Sequence, residues 1–168
     1  MKEIFTFGII TSSDKGSKGQ REDLSGKLIQ EIMKKRNYKL IKYIILPDEK
    51  EELKDEMIHM SDELKVNLIL TTGGTGFSPR DITPEATLEI LDRLTPGISE
   101  AIRNYSLKIT PKAMLSRAIS GMRKETLIIN LPGSPKAVKE SLEYILDPLE
   151  HGLEIMLQRA KECAEKHN

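Results

Sequence analysis

Thr71-Thr72-Gly73-Gly74-Thr75-Gly76-Phe77-Ser78-Pro79-Arg80-Asp81-Ile82-Thr83-Pro84-Glu85-Ala86-Thr87 is the stretch whose reading decides the fold. It directly follows Val66 to Leu70, an apolar run short and branched enough to be a buried strand. Gly73, Gly74 and Gly76 then let the backbone turn sharply and approach a ligand without Cβ interference. Thr83-Pro84-Glu85 reads as a helix start: a Thr N-cap, Pro at the first helical position, an acid in the first turn. Strand, glycine turn and helix in that order are how open α/β sheets build anion sites at the carboxyl ends of their strands. Asp81 lies two residues before the expected cap, so capping does not explain it. A carboxylate is left beside a phosphate-sized cradle.

Two better-known glycine loops do not fit. A dinucleotide fingerprint starting at Gly74 needs its third glycine where Pro79 stands. A Walker loop around Gly26-Lys27 needs glycine at Arg21 and Ser or Thr at Leu28.

Composition sets the outer bounds. The 168 residues suit one domain, read as residues 1–160, with a charged end at 161–168 expected to fray. Apolar residues make up 38% and charged residues 31%, ordinary for a soluble protein. Lys+Arg and Asp+Glu both total 26, so no overall basic field argues for nucleic acid. A single cysteine, Cys163, excludes an internal disulfide and a cysteine zinc cluster and suits a reducing compartment. The first ten residues, Met1 to Ile10, lack a small-residue cleavage site and are too short to span a membrane. A cytoplasmic protein with no membrane association is expected.

Strand-like and helix-like patterns alternate along the chain. Ile4 to Thr11, Tyr38 to Leu46, Val66 to Thr72 and Leu127 to Leu131 read as strands. Ser25 to Lys35 reads as a helix with Leu28, Ile29 and Ile32 inward. Glu49 to Leu64 reads as another, with Leu53, Met57, Met60 and Leu64 on one face. Further helices are expected near Pro84 to Leu94, Ile98 to Leu107 and Pro135 to about Ala160, the last as one long helix or two. This alternation predicts an α/β fold: a three-layer α/β/α sandwich around a mostly parallel sheet. Ala113 to Met122 is the ambiguous segment; a short strand hairpinning into Leu127 would make the sheet mixed.

Four loops fall where strands end. Ser12 to Gly26 is long and rich in glycine and hydroxyls; it reads equally as a functional loop or as a mobile polar one. Leu46-Pro47-Asp48 leads into a helix, and Asp48 with Glu51 has the spacing of a capping box. Gly73 to Asp81 carries more glycine than a structural turn needs. In Leu131-Pro132-Gly133-Ser134-Pro135, Ser134 is a natural N-cap and Pro135 a natural first helical residue. That same geometry offers backbone N–H groups to an anion. His59, His151 and His167 have no partner at ligand spacing, and Ser120 and Ser134 lack a nucleophile elbow. The seven methionines suit helix packing better than a copper site.

These segments resemble the MogA/MoaB family of molybdenum-cofactor biosynthesis proteins, related to the G domain of gephyrin. The likeness covers most of residues 4–155. It rests on Thr71 to Thr87, on Asn130-Leu131-Pro132-Gly133-Ser134-Pro135-Lys136-Ala137-Val138, and on the shorter pieces Thr11 to Asp14, Asp23 to Gly26, Leu46 to Asp48 and Ser116 to Ala118. It is closer to the adenylyltransferase branch than to the MoaB branch.

The resemblance implies a trimer that transfers AMP from ATP to the terminal phosphate of molybdopterin, releasing pyrophosphate, with Mg2+ or a similar divalent cation. The adenylylated pterin then receives molybdenum, which implies a downstream molybdenum-insertion protein as partner. The family's two catalytic carboxylates match Asp48 and Asp81, which would also hold the metal; for Asp48 this displaces a role in capping alone. Ser12, Asp14, Gly73, Gly74, Thr75, Gly76, Pro132, Gly133 and Ser134 would bind nucleotide and substrate. Arg80 and Lys136 are either cationic helpers or plain solvent-exposed charges. Two alternatives follow from the same likeness: a MoaB-like protein that binds pterin or nucleotide without strong transfer, and a gephyrin-like scaffold module.

Overall fold

The computed structural model describes residues 4–158. The expected frayed end at 161–168, Cys163 and His167 lie outside them. In chain order the elements are β1 (Thr6–Ser12), α1 (Asp14–Ser17), α2 (Leu24–Lys35), β2 (Lys39–Leu46), α3 (Lys50–Ile58), β3 (Leu68–Thr72), α4 (Thr83–Ile90), β4 (Arg93–Leu94), α5 (Pro96–Leu107), β5 (Ser120–Arg123), β6 (Thr126–Leu131) and α6 (Pro135–Met156). A π-helical turn, His59–Glu63, extends α3, and a 3-10 turn spans Pro111–Leu115.

Among the described residues six strands form one sheet in the order β2-β1-β3-β6-β5-β4. The first four run parallel, and β5 and β4 add antiparallel to β6. The sheet is therefore mixed, and the ambiguous segment does form the expected hairpin. The inner strands β1, β3 and β6 are mostly apolar and buried because both faces are covered, whereas the edge strand β2 carries Lys39 and Lys42 and is only half-buried. Leu68 and Leu70 point to the layer of α2, α5 and α6, while Ile69 between them points to α3 and α4. Ile9 and Ile10, and Ile129 and Ile128, divide between the same two cores. Three layers result. Each fully buried Leu or Ile contributes about 1.5–3 kcal/mol, and the strands β1, β3 and β6 supply many of them.

Several local expectations need correction. In α2 the fully buried residues are Ile29 and Met33, with Leu28 and Ile32 at the margin of the core. Leu64 is exposed rather than inward: its N–H bonds to the His59 carbonyl at 3.0 Å, five residues back. That widened turn breaks the three-and-four spacing that Leu53, Met57 and Met60 obey. The helix after the glycine loop ends at Ile90, and Arg93–Leu94 becomes an edge strand instead. α6 is one helix despite Pro148.

The two expected caps also move. Asp48 does not cap α3, whose N-cap is Glu49 with no side-chain hydrogen bond. Thr83 is the first residue of α4, not its cap. Its fully buried hydroxyl donates to the Gly73 carbonyl at 2.9 Å, and its N–H to the Gly74 carbonyl at 3.1 Å. The helix is thus tied directly onto the glycine turn. Ser134 does cap α6, accepting from the Ala137 N–H.

Candidate active site

Because β2, β1, β3 and β6 are parallel, Asp48, Ser12, Gly73 and Gly133 emerge at one edge of the sheet. There they border a cavity of about 580 Å³. The glycine turn can sit so close only because it lacks side chains. Gly73 (φ +89°) and Gly74 (φ +67°) both adopt the left-handed region. A Cβ on Gly73 would stand 2.4 Å from the Ser12 carbonyl oxygen, and one on Gly74 2.4 Å from Thr83 Oγ1. From the other side, a Cβ on Gly133 would come into ordinary contact with Gly73, 3.5 Å from its Cα. Ser25 donates its hydroxyl to the Gly133 carbonyl (2.7 Å) and Thr72 to that of Pro132 (2.6 Å). These bonds fix the fourth loop against the start of α2 and the end of β3.

Asp48 is half-buried and its carboxylate is fully oriented. Oδ1 accepts from the Ser12 hydroxyl at 2.6 Å and Oδ2 from the Asp14 N–H at 2.9 Å. Asp81 lines the same cavity; its Oδ2 accepts the Ser78 N–H at 3.1 Å, closing a turn within its own loop. Arg80 turns away from the cavity to Asp14 and Glu49, with nitrogen–oxygen distances of 2.7 to 3.0 Å. That guanidinium, helped by the Asp48 N–H, holds the Asp14 carboxyl down at about 2. Lys136 is 80% exposed and 3.8 Å from Glu140, so it is a solvent-facing charge.

Of the residues expected from sequence, Ser12, Asp48, Gly73, Gly74, Asp81, Gly133 and Ser134 line the cavity together. Asp14 sits behind Asp48, and Thr75 is buried in the turn. Gly76 is set so that a Cβ there would lie 2.9 Å from Asp81 Oδ2. Pro132 faces a separate pocket of about 230 Å³ beside Arg103 and Glu140. Sequence reasoning did not single out Arg21, Glu22 and Asp23, which also border the cavity. Asp23 accepts from the Thr11 hydroxyl (2.6 Å), the Tyr43 phenol and the Gly26 N–H (2.9 Å). Burial first, then the bond to Asp23, pushes the Tyr43 phenol above the ordinary tyrosine range, so it remains a donor. The Asp23-to-Gly26 piece was visible in the sequence, but nothing local marks Asp23 as more than a cap.

The cavity lining carries Glu22, Asp23, Asp48 and Asp81 against one cation, Arg21. Two of these acids, Asp48 after β2 and Asp81 after β3, can offer hard oxygen ligands; among the described residues no cluster of three or more acidic, His or Cys ligands exists. Such a pair suits a cation completed by substrate oxygens and water, not an all-protein cage. No helix of the described residues is long and apolar enough to cross a membrane.

Comparison with known proteins agrees with this architecture. Residues 8–151 match the family described as "Probable molybdopterin binding domain". A molybdopterin adenylyltransferase of Helicobacter pylori (strain J99) is 42% identical over 95% of this chain and 92% of its own length. The Escherichia coli K12 molybdopterin adenylyltransferase is 40% identical, over 83% and 73%. Among solved structures, the molybdopterin biosynthesis enzyme MoaB of Thermus thermophilus superposes with a TM-score of 0.86 at 46% identity, covering 91% of this chain and 96% of that one. On the match across the whole parallel core and the four converging loops, the chain belongs to this molybdopterin-binding family.

Proposed function

We propose that this chain transfers AMP from ATP to the terminal phosphate of molybdopterin, releasing pyrophosphate. One observation carries the reading: Asp48 and Asp81, on different loops, border the same cavity as the glycine turn. An oxygen of the pterin phosphate attacks the α-phosphorus of ATP; a new P–O bond forms as the bond to the β-phosphate oxygen breaks, and the electron pair leaves with pyrophosphate. Catalysis of this kind is mostly alignment and charge compensation. Gly73 and Gly74 let phosphate approach the backbone, and the N-terminus of α6 at Gly133 and Ser134 favours negative charge. Ser12 holds Asp48 through its hydroxyl.

A lining with four acids and one arginine repels a polyanion, which supports delivery of ATP as a divalent-cation complex. Asp48 and Asp81 are the residues that would hold Mg2+. When bound, it neutralises phosphate charge and polarises the transferred phosphoryl group. The protein is further proposed to act as a cytoplasmic homotrimer that hands its product to a molybdenum-insertion protein. The second reading, a MoaB-like binding protein with little transfer, draws on the 46% identity to the Thermus protein. One experiment separates them: incubate pure protein with molybdopterin, ATP and magnesium, and measure adenylylated pterin and pyrophosphate. Pterin bound but unmodified would favour the second reading.

A further inference from the structure

The loop that carries Asp81 is held on its outer side by the Arg80 side chain, which bonds Asp14 and Glu49. Phe77 to Arg80 are exposed, Phe77 to 70%. Inside the loop, the Asp81 N–H bonds to the Ser78 carbonyl at 2.9 Å and the Ser78 N–H to the Asp81 carboxylate. Its two ends, however, are joined by one side chain from elsewhere in the fold. Arg117, between the 3-10 turn and β5, donates Nε to the Gly76 carbonyl at 2.7 Å and Nη2 to the Asp81 carbonyl at 3.0 Å. Its Nη1 pairs with Glu85 in the first turn of α4, and its backbone N–H donates to the Thr75 carbonyl at 2.8 Å.

We propose that Arg117 is a positioning residue for the transfer reaction: its guanidinium clamps both ends of the Gly76–Asp81 loop and thereby sets where the Asp81 carboxylate stands in the cavity. This rests on the reading that Asp81 serves adenylyl transfer. Arg117 does not line the cavity, so it acts through Asp81 and not on the substrate. A planar fork with five fixed donors can serve Gly76, Asp81 and Glu85 at once. A lysine ammonium keeps the charge but is a point donor on a flexible stem, and cannot reproduce that fork. Arg80 anchors the loop through its side chain, on Asp14 and Glu49, but among the described bonds Arg117 is what holds the Asp81 main-chain carbonyl.

The test compares the unaltered protein with Arg117→Lys, Arg117→Gln, Asp81→Asn and the Arg117→Lys/Asp81→Asn double variant. Melting temperature, kcat and KM for transfer, and amide hydrogen exchange of the 75–82 segment are read for each. Displacing a reacting group by about an ångström costs on the order of a hundredfold. Arg117→Lys is therefore expected to lose kcat on that scale with KM for ATP nearly unchanged, and to exchange faster at 75–82 alone. In the Asp81→Asn background the same change should cost no more than about twofold, because both act through one carboxylate. An equal loss in both backgrounds, or unaltered kcat and exchange in Arg117→Lys, overturns the proposal. Loss of cooperative unfolding in both Arg117 variants does so too, since the residue would then be a folding element. If the unaltered protein transfers no AMP, the functional reading fails, and exchange at 75–82 still decides the clamp.

Discussion

Asp14 and Asp48 hold each other in place: the Asp14 N–H donates to Asp48 Oδ2 at 2.9 Å, and the Asp48 N–H donates back to Asp14 Oδ1 at 3.0 Å. The exchange locks the loop after β1 to the loop after β2 without involving a ligand. Arg80, from the third loop, then grips Asp14 with two nitrogens. The Asp48 carboxylate is consequently aimed before any substrate arrives, which is what a preorganised site needs.

This geometry separates two substitutions at Asp48. Asp48→Asn can keep its carbonyl on the Asp14 N–H, while the Ser12 hydroxyl rotates to accept from the new amide. Stability should change by less than about 1 kcal/mol while transfer falls by orders of magnitude. Asp48→Ala leaves the Asp14 N–H unpaired and should cost about 1–3 kcal/mol as well as the activity. Urea unfolding midpoints alongside turnover distinguish the cases. A large stability loss in Asp48→Asn would mean that its charge serves the fold.

Acid should weaken the protein through a definable set of carboxylates. Asp14 is held at about 2 by the Arg80 hydrogen bonds, Asp62 at about 2 by Arg123 and then Lys124, and Glu89 at about 2 by Lys50 and then Lys54. Their ordinary values are 3.8 and 4.5. Each folded value lies below the unfolded one, so between them the unfolded chain binds more protons and stability falls as pH falls. The contribution is fully present above 4.5 and is lost toward 2. Arg80→Met should return Asp14 toward 3.8 and flatten the decline over 2 to 3.8, measured by denaturant midpoints across that range. An undiminished slope would remove Asp14 from the account.

How much of this was legible in the sequence depends on range. The parallel core was readable because Leu68 to Leu70 and Leu127 to Ile129 are continuous apolar runs. The convergence of Asp48, Gly73, Asp81 and Gly133 followed from parallel strands ending at one edge. The two misassigned caps share a cause: Asp48 and Thr83 have capping chemistry, but partners distant in sequence, Ser12 and Gly73, take their oxygens. β4 is two residues long and pairs only with β5, so no periodicity could announce it. Asp23 and Arg117 entered the sequence reading only as members of short segments of the family likeness, without a role. Their roles come from Tyr43, Thr11, Gly76 and Asp81, which no window of sequence joins to them.

The glycine turn predicts its own intolerance. Gly74→Ala places a Cβ 2.4 Å from Thr83 Oγ1 and 3.1 Å from Ser12 Oγ at a positive φ, so Thr83 must release the Gly73 carbonyl. A destabilisation of about 1–3 kcal/mol is expected from strain and the lost buried bond. Gly97→Ala, inside α5 where a Cβ meets nothing within 4 Å, is the control and should keep or slightly raise the melting temperature. Equal melting temperatures for both variants would show that the turn has room to relax.

Asp81→Asn is the substitution on which the mechanism most depends. The Asn carbonyl can still accept the Ser78 N–H, and the Asp81 main-chain carbonyl still receives Arg117. Helix α4 begins from Thr83 tied to Gly73 and Gly74, so its start does not rest on the Asp81 carboxylate. Folding should therefore survive, with a melting temperature close to that of the unaltered protein. What disappears is a negative charge facing the cavity, and with it half of the acid pair available to a divalent cation. Transfer should fall by orders of magnitude, several kcal/mol of transition-state stabilisation. Pterin binding, followed by its fluorescence, should change little. Near-normal turnover would refute the assignment of Asp81 to the chemistry, and loss of the cooperative unfolding transition would make the acid structural.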